Sequence, residues 1–173
     1  MSMSEPTKRT WIALGLAEAL FGVAYSACAL LAFQLRLEEG RDALGVLELF
    51  VVLLIAGSYA VLFAVPLVVH TAGRLTARLT RDRSKMASAA AQLVVGLGLG
   101  AVAAYAISGE SGVEFPAAVL AFVAPAGIAS LGTHLLVPLA VRHRWIRVAA
   151  WVIGAVPVGV TLVFIASLVA RNL

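Results

Sequence analysis

Two ionisable side chains lie deep inside long apolar segments of the chain. Glu18 lies in the apolar segment 11–33, and His134 lies in the segment 115–141. A charge at membrane depth costs about 2.5–3.5 kcal/mol unless it is paired, neutralised or hydrated. A carboxylate and an imidazole each lower the cost of charging the other, and together they can pass a proton. The two residues therefore define a candidate intramembrane proton site, with an interhelical hydrogen bond as the alternative interpretation.

The positions of these residues predict that they lie at the same depth. Glu18 is seven residues from the start of its segment, and His134 is seven residues before the end of its own. At about 1.5 Å per residue, both lie roughly 10 Å inside the membrane boundary. If those two segment ends are on the same side, the side chains can face each other. A third interpretation leaves Glu18 near the interface, where it reaches Lys8 or a partner protein.

The elements that must hold these residues are apolar segments bounded by charge. Of 173 residues, 62% are hydrophobic and 13% are charged, whereas soluble domains carry about 25% charged residues. About 20 apolar residues cross a bilayer as a helix, and an isolated strand in lipid would leave its backbone groups unpaired. The sequence predicts an all-α integral membrane protein with a single domain, 1–173, that is a bundle of five transmembrane helices at 11–33, 47–69, 86–107, 115–141 and 146–170.

The connections between the segments alternate in charge. Ten of the thirteen basic residues lie at the amino terminus or in the second and fourth connections, whereas the first and third connections are mainly acidic. Cytoplasmic connections of membrane proteins carry the excess of lysine and arginine. The sequence therefore predicts a cytoplasmic amino terminus and an outer carboxyl terminus. We expect a multi-pass protein, in the plasma membrane if the source is prokaryotic.

The basic connections are also candidate binding surfaces. Arg74, Arg78 and Arg81 recur at helical spacing, which predicts a short amphipathic extension that contacts anionic lipids on the cytoplasmic side or an acidic partner. The alternative is that these residues only set the topology. Because orientation accounts for the net charge of +4, nucleic-acid binding is not favoured. The candidate contacts are Arg74, Arg78, Arg81, Arg83, Lys85, Arg142, Arg144 and Arg147.

The first segment has a second interpretation as a cleaved signal peptide. Lys8 and Arg9 precede it, and the sequence Ala27-Cys28-Ala29 resembles a small-residue cleavage site. The apolar run continues to Phe33, which favours a retained helix. Cleavage would leave the orientation of the other four segments unchanged.

Small residues and prolines predict how the helices pack and bend. Gly96 and Gly100 form a GxxxG pair, and similar spacing relates Ala155 to Gly159 and Gly15 to Ala19. Such pairs allow close helix contacts in membranes. The interior prolines are expected to kink or open their helices, since each removes a backbone donor; they are Pro125, Pro138 and Pro157.

Other groups of residues give weaker indications of a haem site, a metal site or an enzyme. His70 and His134 could supply the two axial ligands of a b-type haem. Against this, no helix contains a pair of histidines. Three histidines and the single Cys28 are a poor set for a metal, so no metal site or other cofactor is predicted. The chain lacks HExxH, GxSxG and phosphate-binding glycine motifs, which disfavours an enzyme.

These patterns favour a noncatalytic accessory or structural subunit of a larger membrane complex. Its expected partners are membrane lipids and either other membrane subunits or a second copy of itself. The alternative is a small oligomeric transporter or proton-coupled channel that uses Glu18 and His134. A haem-binding membrane protein is the lesser alternative.

Overall fold

The computed structural model describes residues 5–38, 51, 53, 55–80, 82–111 and 114–171. In these ranges the chain is helical and contains no strand, which confirms the all-α prediction. We number the long helices α1 to α5. They are α1 (Glu5–Glu38), α2 (Ile55–Leu79), α3 (Lys85–Ser111), α4 (Phe115–Arg142) and α5 (Arg144–Arg171).

Helices α1 to α4 contain stretches long and apolar enough to cross a membrane. These stretches are Thr7–Ala32, Ile55–Leu79, Lys85–Gly109 and Phe115–Arg142. The predicted segment 47–69 is displaced, because α2 continues past Val69 to Leu79 and carries Arg74 and Arg78 on its last turns. Its predicted residues 47–50, 52 and 54 lie outside the described residues, as does Arg81. Helix α5 covers the fifth predicted segment.

Helix α4 lies at the centre of the bundle and packs most extensively against α3 and α1. Leu20 of α1 contacts Gly132 of α4, and Ile12 shares a core cluster with Ala140. Since the lower residue number on α1 pairs with the higher number on α4, the two helices are antiparallel. A second core cluster includes Phe21, Tyr25 and Phe122, in which the ring centroids of Tyr25 and Phe122 are 5.4 Å apart.

The α3–α4 contact depends on the absence of side chains at two glycines. A Cβ atom at Gly96 would lie 2.6 Å from the carbonyl oxygen of Ala126, and one at Gly100 would lie 2.7 Å from the carbonyl oxygen of Phe122. Both distances are too short for a real contact. The GxxxG pair therefore forms a close helix interface, as predicted.

The first and fifth helices are parallel neighbours. A Cβ atom at Gly15 would lie 3.0 Å from the indole of Trp151, and one at Gly154 would lie 3.4 Å from the backbone nitrogen of Ala19. These contacts confirm the predicted packing face of Gly15 and Ala19. Among the described residues the predicted pair Ala155 and Gly159 makes no close helix contact, because Ala155 is exposed and a Cβ at Gly159 would meet no atom within 4 Å.

Helix α2 is the least regular of the five. Two stretches, Ala60–Ala64 and Val69–Gly73, have π-helical turns on either side of Val65–Val68. The amide of Val65 donates to the carbonyl of Ala60, five residues back, immediately before Pro66. Proline lacks an amide hydrogen and clashes with the preceding turn, which favours a wider turn there.

The interior prolines of α4 behave differently from Pro66. Pro125 and Pro138 lie inside a helix that is assigned as α-helical throughout, so the predicted opening at these prolines does not appear as a change of helix type. The side chain of Pro157 lies outside the described residues.

Helix α3 contains one glycine that contacts α4, Gly96, and one that faces open space, Gly98. Substituting each of them gives a matched test of the α3–α4 contact. The Gly96→Ala substitution places a methyl group against the Ala126 carbonyl, so we expect the free energy of unfolding to fall by about 1–3 kcal/mol. The Gly98→Ala substitution enters open space and is expected to be neutral or to stabilise the helix by about 0.5–1 kcal/mol. Unfolding of the purified protein in mixed detergent micelles measures both changes. Equal stabilities would contradict the close contact.

Candidate functional site

A cavity of about 590 Å³ lies between α1, α2, α3 and α4. Its wall is mostly apolar and includes Phe21 from α1, Val65 from α2, Leu99 from α3 and Phe122 from α4. Ligand sites usually have volumes of about 300–1,000 Å³, apolar walls and a few converging polar groups. The cavity is therefore the candidate functional site. Its polar lining residues are Arg9, Thr10, Arg74, Gln92, Ser130, Thr133 and His134.

Hydrogen bonds from Gln92 and Ser130 join three helices beside the cavity. Gln92 of α3 is 7% exposed, and its Nε2 donates to the carbonyl of Gly73 on α2 over 3.4 Å. The Ser130 hydroxyl of α4 donates to the backbone carbonyl of Gln92 over 2.7 Å. The long side-chain bond is weak by geometry, whereas the serine bond has ordinary length. The polar end of the cavity thus coincides with the place where α2 approaches α3.

A further polar contact closes the same end of α2 against the start of α3. The hydroxyl oxygens of Thr80 and Ser88 are 3.0 Å apart, and the Thr80 hydroxyl also donates to the carbonyl of Thr76. At the opposite end, the hydroxyl of the buried Tyr25 donates to the carbonyl of Leu53. Helix α2 is thus joined to its neighbours by polar contacts on both sides of the cavity.

Thr133 and His134 present polar groups without internal partners. The Thr133 hydroxyl oxygen is buried and has no hydrogen-bond partner among the described residues. His134 is partly buried, lines the cavity, and makes no hydrogen bond or ion pair in the described part of the chain. A buried hydroxyl without a partner costs about 1–3 kcal/mol. The cavity wall therefore contains an imidazole that a bound molecule or water could satisfy.

Glu18 and His134 lie at corresponding depths. However, Glu18 is on the side of α1 that contacts α5, whereas the cavity that His134 lines is on another side of α1. Leu20 contacts Gly132, so residues near 18 and 134 are level on these antiparallel helices. Ala17 lines the cavity, whereas the Cβ of Glu18 lies 3.4 Å from the position of a Cβ on Gly154 of α5. Within the described residues, no hydrogen bond or ion pair joins Glu18 to His134. The structure thus brings His134 to the cavity and Glu18 to the α1–α5 contact.

The remaining predicted residues fall outside this site, with one exception. Of the described basic residues proposed to contact lipids or partners, Arg74 lines the cavity, and it is joined there by Arg9 of α1. Arg78, Arg83, Lys85, Arg142 and Arg144 are exposed, and Arg147 is partly exposed.

The histidine pair proposed for haem is not assembled. His70 is exposed on α2, its Nδ1 lies 3.0 Å from the carbonyl oxygen of Pro66, and it does not line the cavity that contains His134. The described residues also contain no cluster of three or more His, Cys, Asp or Glu side chains that could hold a metal ion.

The polar groups that sequence reasoning missed are uncharged. Gln92, Ser130 and Thr133 lie inside apolar segments, where a polar side chain needs an interhelical or ligand partner. An amide such as Gln92 within an apolar helix is a detectable signal. Serine and threonine are weaker signals, since each can bond to its own helix, as Ser26 does to Gly22.

Two hydroxyl substitutions on neighbouring turns of α4 should change stability in opposite directions. Thr133→Val removes a hydroxyl without a partner at nearly constant volume, and we expect the free energy of unfolding to rise by about 1 kcal/mol. Ser130→Ala removes the bond to Gln92 and should lower it by about 0.6 kcal/mol. Thermal unfolding in a single detergent measures both. A destabilised Thr133→Val protein would show that this hydroxyl has a structural partner.

No protein-family model, curated protein or solved structure matches the chain. Its function is therefore inferred from its own residues and their geometry.

Proposed function

We propose that the protein is a small membrane transporter whose solute site is the cavity between helices α1, α2, α3 and α4. The observation that carries this proposal is the cavity itself, about 590 Å³ in volume, lined by His134 and Thr133. Ionisable groups inside membrane bundles commonly mark the route of a solute or ion. The other polar side chains of the wall lie on the same side as His134.

The packing of α2 supports a wall that can move. Polar contacts of α2 with its neighbours lie near Tyr25 on one side of the cavity and near Gln92 and Ser88 on the other. Between these contacts α2 has π-helical turns, which are frequent at functional sites. We propose that α2 moves relative to the α3–α4 pair during transport.

His134 is the proposed proton-carrying group. Histidine is a common proton-transfer group in proteins, and His134 is the histidine that lines the cavity. Glu18 does not line the cavity. The proton-linked step is therefore assigned to His134 alone, and Glu18 is assigned to the contact of α1 with α5.

The proposed topology has five membrane crossings, with a cytoplasmic amino terminus and an outer carboxyl terminus. Supporting it, α1 and α5 are parallel while α4 is antiparallel to both α1 and α3, as five alternating crossings require. Trp11 and Trp145 lie close to the proposed cytoplasmic ends of α1 and α5, where aromatic side chains favour the interface. The proposed location is the plasma membrane if the source is prokaryotic.

A proton-flux assay tests the role of His134. Protein in vesicles loaded with a pH-sensitive dye is given an inward proton gradient, and we expect His134→Gln to reduce the protein-dependent flux at least about 100-fold, the lower end of the usual range for a lost proton-transfer group. His70→Gln is the matched control, since His70 is exposed and outside the cavity. Wild-type protein without flux, or equal loss in both variants, would contradict the proposal.

Fusions to the two termini test the topology. We expect green fluorescent protein to fluoresce at the amino terminus and alkaline phosphatase to be active at the carboxyl terminus, because each reporter works on one side of the bacterial membrane. The reciprocal fusions should be inactive. An active phosphatase at the amino terminus would overturn the proposed orientation.

A second candidate function, an accessory subunit of a membrane complex, is favoured by Glu18. This carboxyl is partly buried beside α5 and has no hydrogen bond or ion pair among the described residues. A basic residue of a partner subunit could satisfy it. The accessory function predicts that Glu18→Gln lowers the amount of protein recovered with a partner in native purification, while His134→Gln leaves that amount unchanged.

A further inference from the structure

We infer that the cavity binds an anionic phospholipid from the cytoplasmic leaflet. The phosphate lies between Arg9 and Arg74, and an acyl chain follows the apolar wall between α2 and the α3–α4 pair. This inference rests on the proposed function, because it names the chemical class of the transported solute.

Charge at one end of the cavity favours an anion. Arg9 from α1 and Arg74 from α2 are the permanently charged residues among the described residues of the lining, and the lining contains no carboxylate. Both arginines are exposed, so their guanidinium groups can reach a headgroup. Guanidinium forms paired, charge-assisted hydrogen bonds with phosphate, and basic pockets between helices on the cytoplasmic side bind anionic headgroups.

The rest of the wall favours a lipid over a free anion. From the arginines the cavity continues along Ala17, Phe21, Ala103 and Phe122, which offer no polar side-chain atom. An inorganic phosphate would leave this surface without a partner, whereas an acyl chain would cover it. On the α2 side the wall continues through Ala64, Val65 and Val68, which also offer no polar side-chain atom.

Polar groups between the two regions match the ester linkage of a phospholipid. The Thr133 hydroxyl is buried without a partner, and His134 lies beside it on the same wall. These groups lie between the arginine end and Phe122 along α4. The imidazole of His134 can donate a hydrogen bond to an ester carbonyl at this position.

Binding of a short-chain lipid to the full-length protein tests the charge requirement. The purified protein in a neutral detergent is titrated with dioctanoyl phosphatidylglycerol, and bound lipid is counted by native mass spectrometry. Since a basic residue near a lipid headgroup contributes about fivefold in affinity, Arg9→Gln and Arg74→Gln should each weaken binding about fivefold and the double variant about 25-fold. Arg74→Lys should retain most of the affinity.

Matched controls separate the cavity from the general basic surface. Arg78→Gln lies one helical turn from Arg74 but outside the lining, and it should bind as the wild type does. Dioctanoyl phosphatidylcholine should bind at least about tenfold more weakly than the anionic lipid, in line with two basic contacts. Sodium phosphate should neither bind nor compete at concentrations that saturate the lipid site.

A pair of alanines on α3 tests the path of the chain. Ala106 lines the cavity, whereas Ala101 is exposed outside it. Ala106→Phe should weaken phosphatidylglycerol binding about fivefold by displacing one or two methylene groups from the wall, and Ala101→Phe should have no effect. Gel filtration of each variant confirms that it remains folded and monodisperse.

The outcomes distinguish this inference from the proposed function. Equal binding of the two lipids, competitive binding of sodium phosphate, or equal weakening by Arg78→Gln and Arg74→Gln would overturn the phospholipid site. Flux that depends on His134 without cavity-dependent lipid binding would overturn the inference and leave the transporter proposal standing. Lipid binding that requires both arginines, without flux, would support the inference and reject transport.

Discussion

The close backbone contact between α3 and α4 is the constraint on which the rest of the structure depends. In lipid there is no hydrophobic force between apolar helices, so association depends on close packing and interhelical hydrogen bonds. Gly96 and Gly100 allow the two backbones to approach, and the Ser130 hydroxyl bonds to the Gln92 carbonyl on the same side. Once α3 and α4 are held together, α1 packs on α4 and α5 packs on α1.

The same constraint explains why a cavity forms beside α2. The face of α4 that lines the cavity includes Thr133 and His134, and α2 does not pack closely against it. A polar patch without protein partners is costly in lipid, and this cost is the physical reason to expect a bound molecule there.

The sequence predicts the helices and their depths better than it predicts which faces meet. Glu18 and His134 do lie level, since depth follows from counting residues along antiparallel helices. Their facing sides could not be predicted, because successive residues on a helix differ by about 100° in direction, which separates Ala17 in the cavity wall from Glu18 at α5. In a soluble helix the polar face identifies the exposed side. Here both the core and the lipid favour apolar residues, so that signal is absent.

Glycine spacing also leaves open which face of a helix meets a neighbour. Pro66 shows what the sequence can still predict. Gly154 meets α1 while Gly159 meets no neighbour, and only the rotation of α5 decides between them. Pro66, in contrast, acts on its own helix, because any proline at an interior position removes an amide and crowds the preceding turn. The wider turn before Pro66 is present in α2, whereas α4 stays α-helical through Pro125, which is fully buried against its neighbours. Helix α2 therefore combines polar contacts on both sides of the cavity with π-helical turns between them. In the proposed transport cycle, these central turns bend away from the cavity while the α3–α4 contact stays intact.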